Sequence, residues 1–210
     1  MGISERKERE KEQRRNDIVD AAEKVFFKKG LNNSTMDEVA EEAELSKGTL
    51  YLYFKSKEEI HFEIKSRALI ILKKMFHKSI SENKTGFENC AEIGKAYVDF
   101  VKKHSNYYKA IIHFESSDCS ICEFRDKCED FFKEDNPLEF FVQIISKGIA
   151  DGTIRSDISA NVLAQTLWAQ TNGILQFVST KQKIIEFAGV KAEDIINSQF
   201  EIIKKGIKNK

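Results

Sequence analysis

The sequence has little proline and lacks any long apolar run. A single proline occurs in 210 residues, and no stretch has the valine- and threonine-rich alternation of strands, so the composition favours an all-α protein. Because no apolar run approaches the roughly 20 residues of a membrane-spanning helix, no membrane partner is expected. The first fifteen residues are too highly charged for a signal peptide, which predicts a cytoplasmic protein.

The chain also lacks net charge and has few cysteines. It contains 34 basic residues, 34 acidic residues and four cysteines. Because the net charge is zero, any electrostatic attraction to nucleic acid has to come from a local basic patch. In a cytoplasmic protein the cysteines are expected to be reduced or metal-bound rather than paired in disulfides. No carboxylate pair, nucleophile–base pair or phosphate-binding loop stands out, which argues against an enzyme.

Helical periodicity and stop signals divide the chain into three predicted parts. Residues 1–15 are nearly all charged and are expected to form a frayed or disordered arm. A helix-turn-helix domain is predicted for residues 16–62 and a larger helical domain for residues 63–210. The first helix of the middle part has an apolar face and ends before a glycine; the face consists of Ile18, Ala21, Ala22, Val25 and Phe26.

The segment from residue 35 to residue 54 has the pattern of helix, tight turn and helix. Thr35 followed by Glu38 forms a capping box that begins one helix. Ser46 can cap a second, short helix that ends near Phe54. The first helix is acidic, "MDEVAEEAE", whereas the stretch "LSKGTLYLYFKSKEEI" has three lysines before its first acid. This change of sign predicts that the second helix faces a negatively charged partner.

The residue types of the second helix suit DNA. Its N-terminus offers free backbone N–H groups and a cation to phosphate, its glycine lets the backbone approach closely, and Thr49 can reach a base edge. The tyrosines and later lysines can bind flanking phosphates, although Tyr51 and Tyr53, two residues apart, cannot both face the core. The alternative is a solvated basic turn in an ordinary helical protein. The predicted DNA contacts are Thr35, Ser46, Lys47, Gly48, Thr49, Tyr51, Tyr53, Lys55 and Lys57.

The stretch "TMDEVAEEAELSKGTLYLYFKSKEEI" resembles the DNA-binding signature of the TetR family of transcriptional regulators. The shared features are the Thr-capped helix, the Ser-Lys-Gly-Thr start of the next helix, its Tyr-x-Tyr-Phe end and the Lys-Ser-Lys-Glu entry into the following one. The resemblance implies an all-α homodimer whose three-helix N-terminal domain binds a double-stranded DNA operator, with the nine residues above as the contacts. It also implies that residues 63–210 form a ligand-binding and dimerisation domain with a pocket for a small-molecule inducer. The last two helices, about residues 159–179 and 191–206, would pair across the two-fold axis.

The candidate pocket residues are side chains whose polar atoms need partners when they are buried. Four of them are Tyr107, Tyr108, His113 and Trp168. Asn172 lies about one helical turn after Trp168 and can supply such a partner. The alternative for each aromatic residue is simple core packing.

Three of the four cysteines lie within ten residues, in the order C-x2-C-x5-C. The spacing of Cys119 and Cys122 suits two thiolates that hold one tetrahedral ion, and Cys128 follows. A fourth ligand can come from Cys90, His113 or an acid. The open alternatives are a metal ion or iron–sulfur cluster, a thiol redox switch, and inert thiols.

These patterns together predict a ligand-responsive DNA-binding transcriptional regulator. In its simplest form it is a repressor that binds a palindromic operator as a dimer, with the two recognition helices about 34 Å apart. One alternative is a cysteine-based regulator that senses metal or redox state, and another is a cysteine-dependent helical enzyme. A helical adaptor that binds only proteins is a further alternative, against which the lysines of the second helix argue.

Overall fold

A computed structural model describes residues 2–116 and 136–209 of the chain. Within these ranges the chain forms ten α-helices. Their bounds are α1 (Ile3–Lys29), α2 (Met36–Glu42), α3 (Lys47–Tyr53), α4 (Lys57–Ser79), α5 (Gly86–Lys103), α6 (Ser105–Ser116), α7 (Pro137–Ala150), α8 (Ala160–Thr180), α9 (Gln182–Phe187) and α10 (Ala192–Ile207).

The predicted all-α class is confirmed. In the described part of the chain there is no β-strand, and the backbone forms an isolated bridge between Ile154 and Lys208. None of the described helices is both long enough and apolar enough to cross a membrane. Helices α8 and α10 begin and end within one residue of the two predicted closing helices.

The prediction of a frayed or disordered arm over residues 1–15 is wrong, because α1 begins at Ile3. Pairs of side chains four residues apart support its exposed first turns. The Arg6 guanidinium lies 2.7 Å from the Glu10 carboxylate, and the Gln13 amide donates to Asp17 at 2.8 Å. Such pairs each add a few tenths of a kcal/mol. From Ile18 onward α1 packs into the core, and this part can nucleate the helix. The charged residues before Ile18 then continue the same helix toward the N-terminus.

The chain divides into two compact units. The first unit holds the residues up to Ala68 together with α6, and the second holds Leu69–Lys103 and the chain from α7 onward. The predicted boundary lay after residue 62, whereas the first unit continues to Ala68. The first unit also includes α6, because Ala110 of α6 packs into its core. That core is formed by Ile18, Val19, Ala22, Val25, Phe26, Val39, Ala40, Leu50, Phe54, Ile60, Ile64 and Ala110.

The predicted helix caps in the first unit are confirmed. The Thr35 hydroxyl accepts from the Glu38 amide, and the Glu38 carboxylate accepts from the Thr35 amide at 2.9 Å. The Ser46 hydroxyl accepts from the Thr49 amide at 3.1 Å. These caps fix where α2 and α3 begin and so set the direction of α3.

In the second unit, α5 and α7 cross at two glycines. A Cβ atom on Gly86 would lie 2.1 Å from the backbone nitrogen of Gly148, so the two backbones are in direct contact. The Asp151 carboxylate accepts from the Gly86 amide at 2.7 Å, and Ile154 packs over Gly148. Helices α8 and α10 complete the unit, and both have apolar residues on an exposed face.

Candidate functional site

Helix α3 presents one face to the core and the opposite face to solvent. Leu50 within the helix and Phe54 at its C-terminal cap are fully buried. Because 100° separates successive residues of an α-helix, positions 48 and 52 face away from that core and Tyr51 lies to one side of them, and all three positions are exposed. The outward face at the start of α3 therefore offers free backbone N–H groups, a lysine and a glycine to a partner.

The nine residues predicted to contact DNA lie in the first unit but differ in exposure. Tyr51 is exposed, whereas Tyr53 packs against the core, as expected for two residues that cannot both face inward. Thr49 and Lys57 are half-buried. The exposed residues are Thr35, Ser46, Lys47, Gly48, Tyr51 and Lys55.

The lysines of this surface have different surroundings. The Lys47 ammonium lies 2.7 Å from the Asp37 carboxylate, and both side chains are mainly exposed. The hydrogen bond to Asp37 raises the pKa of Lys47, but an exposed pair of this kind is weak and can exchange for a phosphate. Lys57 instead donates to the backbone carbonyls of Leu31 and Ser34, at 3.1 and 3.4 Å. Its charge therefore holds the loop between α1 and α2 in place.

Arg15 supports the C-terminal end of α3, a role that the sequence analysis missed. Its guanidinium donates to the Tyr53 carbonyl at 3.0 Å and to the Glu63 carboxylate at 2.5 Å. The same group lies 4.1 Å from the centroid of the Phe54 ring. A sequence signal existed, because Arg15 precedes Ile18 by three residues and so lies on the buried side of α1.

We expect Arg15→Met to lower the free energy of unfolding by about 1.5–3 kcal/mol, since it removes charge-assisted hydrogen bonds from a partly buried site. Methionine keeps the apolar stem but has no donors. Arg14→Met is the matched control, because the Arg14 side chain is 49% exposed and its loss should change stability by less than about 0.5 kcal/mol. Urea unfolding followed by circular dichroism gives both values, and equal stability of the two variants would contradict the role of Arg15.

Gly48 has open space where a side chain would be. A Cβ atom placed there would meet nothing nearer than the Ser46 hydroxyl, at 3.9 Å. The packing of the free protein therefore does not require a glycine at this position, although alanine is the better helix former. The position is instead suited to close approach by a partner.

Gly48→Ala is expected to raise stability by up to about 1 kcal/mol, because alanine loses less backbone entropy in a helix. We expect the same change to weaken DNA binding by at least about tenfold, because the added methyl group blocks close approach of the backbone. Thermal unfolding and fluorescence anisotropy on duplex DNA measure the two effects. If affinity rises together with stability, Gly48 does not lie at the DNA surface.

The five predicted ligand residues are divided between the two units. In the first unit, the Tyr107 hydroxyl donates to the Glu23 carboxylate at 3.0 Å, Tyr108 is buried, and the His113 ring meets the His61 ring edge-on at 5.4 Å. Burial, followed by Glu23, raises the pKa of Tyr107 to about 12. Burial, with His113 and Lys65, lowers the pKa of His61 to about 4, so this imidazole is neutral at pH 7.

The other two predicted ligand residues, Trp168 and Asn172, lie in the second unit beside an apolar cavity. Trp168 lines the cavity and stacks on Tyr97, with ring centroids 4.9 Å apart. The Tyr97 hydroxyl donates to the Asn172 amide oxygen. The cavity has a volume of about 50 Å³, and Lys204 is the one charged residue among its described lining residues. Its aromatic lining consists of Phe76, Phe87, Tyr97, Phe141, Trp168 and Phe200.

The cysteines have no described metal-binding arrangement. Cys119, Cys122 and Cys128 lie outside the described residues, so the metal or redox site stays a prediction. Cys90 lines the cavity, and burial raises the pKa of its thiol to about 12, which disfavours the thiolate. Among residues 2–116 and 136–209, no three histidine, cysteine or acidic side chains are grouped so that they could hold a metal ion.

An apolar surface covers α8 and α10 on the second unit. Ile202 of α10 is 72% exposed, and Val162 and Phe177 of α8 are also exposed. A groove runs between the two helices and is lined by residues of both, among them Ile174 and Ile195. Exposed apolar residues beside a groove are typical of surfaces that bind a partner.

Comparisons with known proteins agree with this arrangement. A family model described as bacterial regulatory proteins of the tetR family matches residues 18–64. The chain is 26% identical over 194 residues to the fatty acid metabolism regulator protein of Bacillus subtilis strain 168, covering 92% of this chain and 95% of that protein. It is 30% identical over 138 residues to the uncharacterized HTH-type transcriptional regulator YhgD of the same strain, covering 66% and 70%. The crystal structure of the transcriptional regulator FadR from Bacillus subtilis in complex with stearoyl-CoA has the same fold, with a TM-score of 0.70 at 23% identity over 91% of this chain and 98% of that chain.

Proposed function

The chain belongs to the TetR family of bacterial transcriptional regulators, and on this premise we propose that it is a homodimeric repressor released from a palindromic operator by a ligand with a long acyl chain. The observation that carries the proposal of an acyl ligand is the apolar cavity beside Trp168. DNA binding is assigned to the outward face of α3 and dimerisation to the apolar surface of α8 and α10. We expect the protein to act in the cytoplasm, where its operator lies.

The DNA-binding surface is local rather than domain-wide. Acidic residues are as numerous as basic ones in the whole chain, so long-range attraction adds little. Affinity must come from the N-terminus of α3, with its free N–H groups, and from the exposed Lys47 and Lys55. A single short helix contacts few base pairs, and a dimer doubles both contact area and site length.

The chemistry of the cavity suits an apolar ligand. The free volume of about 50 Å³ is well below the roughly 300–1,000 Å³ of small-molecule sites, so a long acyl chain would enter only as the helices around the cavity move apart. Aromatic walls with Lys204 as the one described charge favour a molecule that is apolar over most of its length and carries a polar or anionic end. A long-chain acyl thioester has this character, and FadR of Bacillus subtilis was crystallised with stearoyl-CoA.

Release from DNA then requires that the ligand bind one state of the dimer more tightly than the other. A tenfold loss of operator affinity corresponds to about 1.4 kcal/mol of difference between the two states. A cysteine-dependent enzyme has no support in the described residues, because the pKa of the buried Cys90 is raised and a thiolate nucleophile is disfavoured there.

The ligand proposal is tested by the fluorescence of Trp168, the only tryptophan of the chain. We expect stearoyl-CoA to change this fluorescence at the concentrations that release the protein from DNA, whereas CoA without an acyl chain should do neither, since the cavity binds the apolar chain. Ala91 lines the same cavity, and Ala91→Phe should abolish both responses while DNA binding without ligand is kept. An unchanged fluorescence and unchanged DNA binding with both short- and long-chain acyl-CoA would rule out this ligand class.

A further inference from the structure

Leu52 lies in α3 with its side chain 82% exposed. Single exposed leucines are common in soluble proteins, so exposure alone carries no argument. The position of this leucine on the helix is more informative. It follows the fully buried Leu50 by two residues, and two residues correspond to about 200° around a helix. Leu52 therefore points almost directly away from the core of the first unit.

Gly48 lies one helical turn before Leu52 on the same outward face. Side chains in a helix lean toward its N-terminus, so a residue covers the surface of the turn that precedes it. The leucine methyl groups thus lie toward the open space above Gly48, where a Cβ atom would meet only the Ser46 hydroxyl at 3.9 Å. Together the two residues form an apolar patch on the outward face of α3, with Gly48 in the first turn and Leu52, the sixth of seven residues, leaning toward it.

The N-terminal part of a recognition helix is the part that enters the major groove. Polar residues flank the patch on both sides, with Thr49 on one and Tyr51 on the other, and these can form hydrogen bonds with base edges. A leucine has no hydrogen-bonding atom in its side chain. The apolar group that the major groove offers is the C5 methyl group of thymine.

We propose that Leu52 is a specificity-determining residue that reads thymine methyl groups in the operator. This inference rests on the proposed function, since it assigns a partner to the outward face of α3. Gly48 contributes by letting the helix approach closely enough for the leucine to reach the base edge. The lysines bind phosphate and carry no sequence information.

The experiment starts from a random-sequence duplex library, from which the wild-type protein selects its operator. Each thymine of that operator is then replaced by uracil, which removes the methyl group and leaves base pairing intact. We expect at least one thymine per half-site at which uracil weakens wild-type binding about fourfold, the effect of one buried methyl group. Leu52→Ala should bind the thymine operator about tenfold more weakly and should lose the difference between thymine and uracil at that position. Leu52→Met keeps an apolar side chain of similar size and should keep the difference.

The outcomes separate the inference from the proposed function. A wild-type protein that selects no sequence overturns both. A wild-type protein that selects an operator, but is indifferent to uracil at every thymine, overturns the role of Leu52 alone. Persistence of the uracil effect in Leu52→Ala does the same. Because Leu52 is exposed, its substitution should leave thermal unfolding and the salt dependence of binding unchanged, and either change would indicate a structural or phosphate-related role instead.

Discussion

Gly86→Ala is expected to lower the free energy of unfolding of the second unit by at least about 3 kcal/mol. The added Cβ atom would lie 2.1 Å from the backbone nitrogen of Gly148 and 2.2 Å from its Cα atom. Backbone atoms inside a helix cannot rotate away as a flexible side chain can, so α5 and α7 would have to separate. Separation also strains the hydrogen bond between the Gly86 amide and the Asp151 carboxylate.

The reciprocal change, Gly148→Ala, should lower the free energy of unfolding by less than Gly86→Ala does. There the nearest atoms are Cδ1 and Cγ1 of Ile154, at 2.4 and 2.6 Å, and the nearest backbone atom is 3.2 Å away. Gly206→Ala is the matched control, because a Cβ atom at Gly206 in α10 meets nothing within 4 Å, and it should leave stability unchanged or slightly higher. Urea unfolding followed by Trp168 fluorescence reports on the second unit directly. A Gly86→Ala protein as stable as the Gly206→Ala protein would show that the helices do not cross in this way.

Ile202→Asp is expected to convert the protein to a monomer and to weaken operator binding by at least about 100-fold, since the two DNA-binding domains would no longer be linked. Ile202 is 72% exposed at the apolar surface of α8 and α10, so a carboxylate there costs the monomer little. In a dimer it would be buried without a partner, which costs several kcal/mol.

Asn197→Asp is the control for this prediction. It introduces the same charge on the same helix, but Asn197 lies on the other side of α10, beside Val98 and Lys102 of α5. This variant should remain dimeric and bind DNA as wild type does. Light scattering gives the mass of each variant, and anisotropy on the selected operator gives the affinity. A dimeric Ile202→Asp protein would place the interface elsewhere.

The parts of the fold that the sequence predicted correctly depend on contacts between near neighbours. Thr35 and Glu38 are three residues apart, and so are Ser46 and Thr49, whose amide donates to the Ser46 hydroxyl. Such hydrogen bonds follow from residue order alone, so the helix starts could be predicted. The prediction of a disordered arm over the first fifteen residues was wrong because composition does not reveal that a charged segment continues a packed helix. Helix α9 was missed because six residues carry almost no periodic signal.

The parts that the sequence could not predict depend on residues far apart in the chain. Arg15 meets Tyr53 across 38 positions, and Tyr107 meets Glu23 across 84. Periodicity identifies a buried face but not the element that it packs against. For this reason the Glu23 carboxylate on α1 could not be predicted as the partner of the Tyr107 hydroxyl. The spacing of Leu50 and Phe54 predicts the outward direction of Leu52, but residue type alone does not assign a leucine to a polar interface.

The crossing of α5 and α7 also limits which substitutions this protein can accept. Both positions at the closest approach are already glycine, so no smaller residue exists that could compensate for a larger one at the other position. Phe87, the very next residue after Gly86, lines the cavity, where volume-conserving exchanges are tolerated. Neighbouring positions on one helix therefore differ in the substitutions that they can accept. If the cavity holds the proposed ligand, its wall can change to suit another ligand while the glycines at the crossing stay fixed.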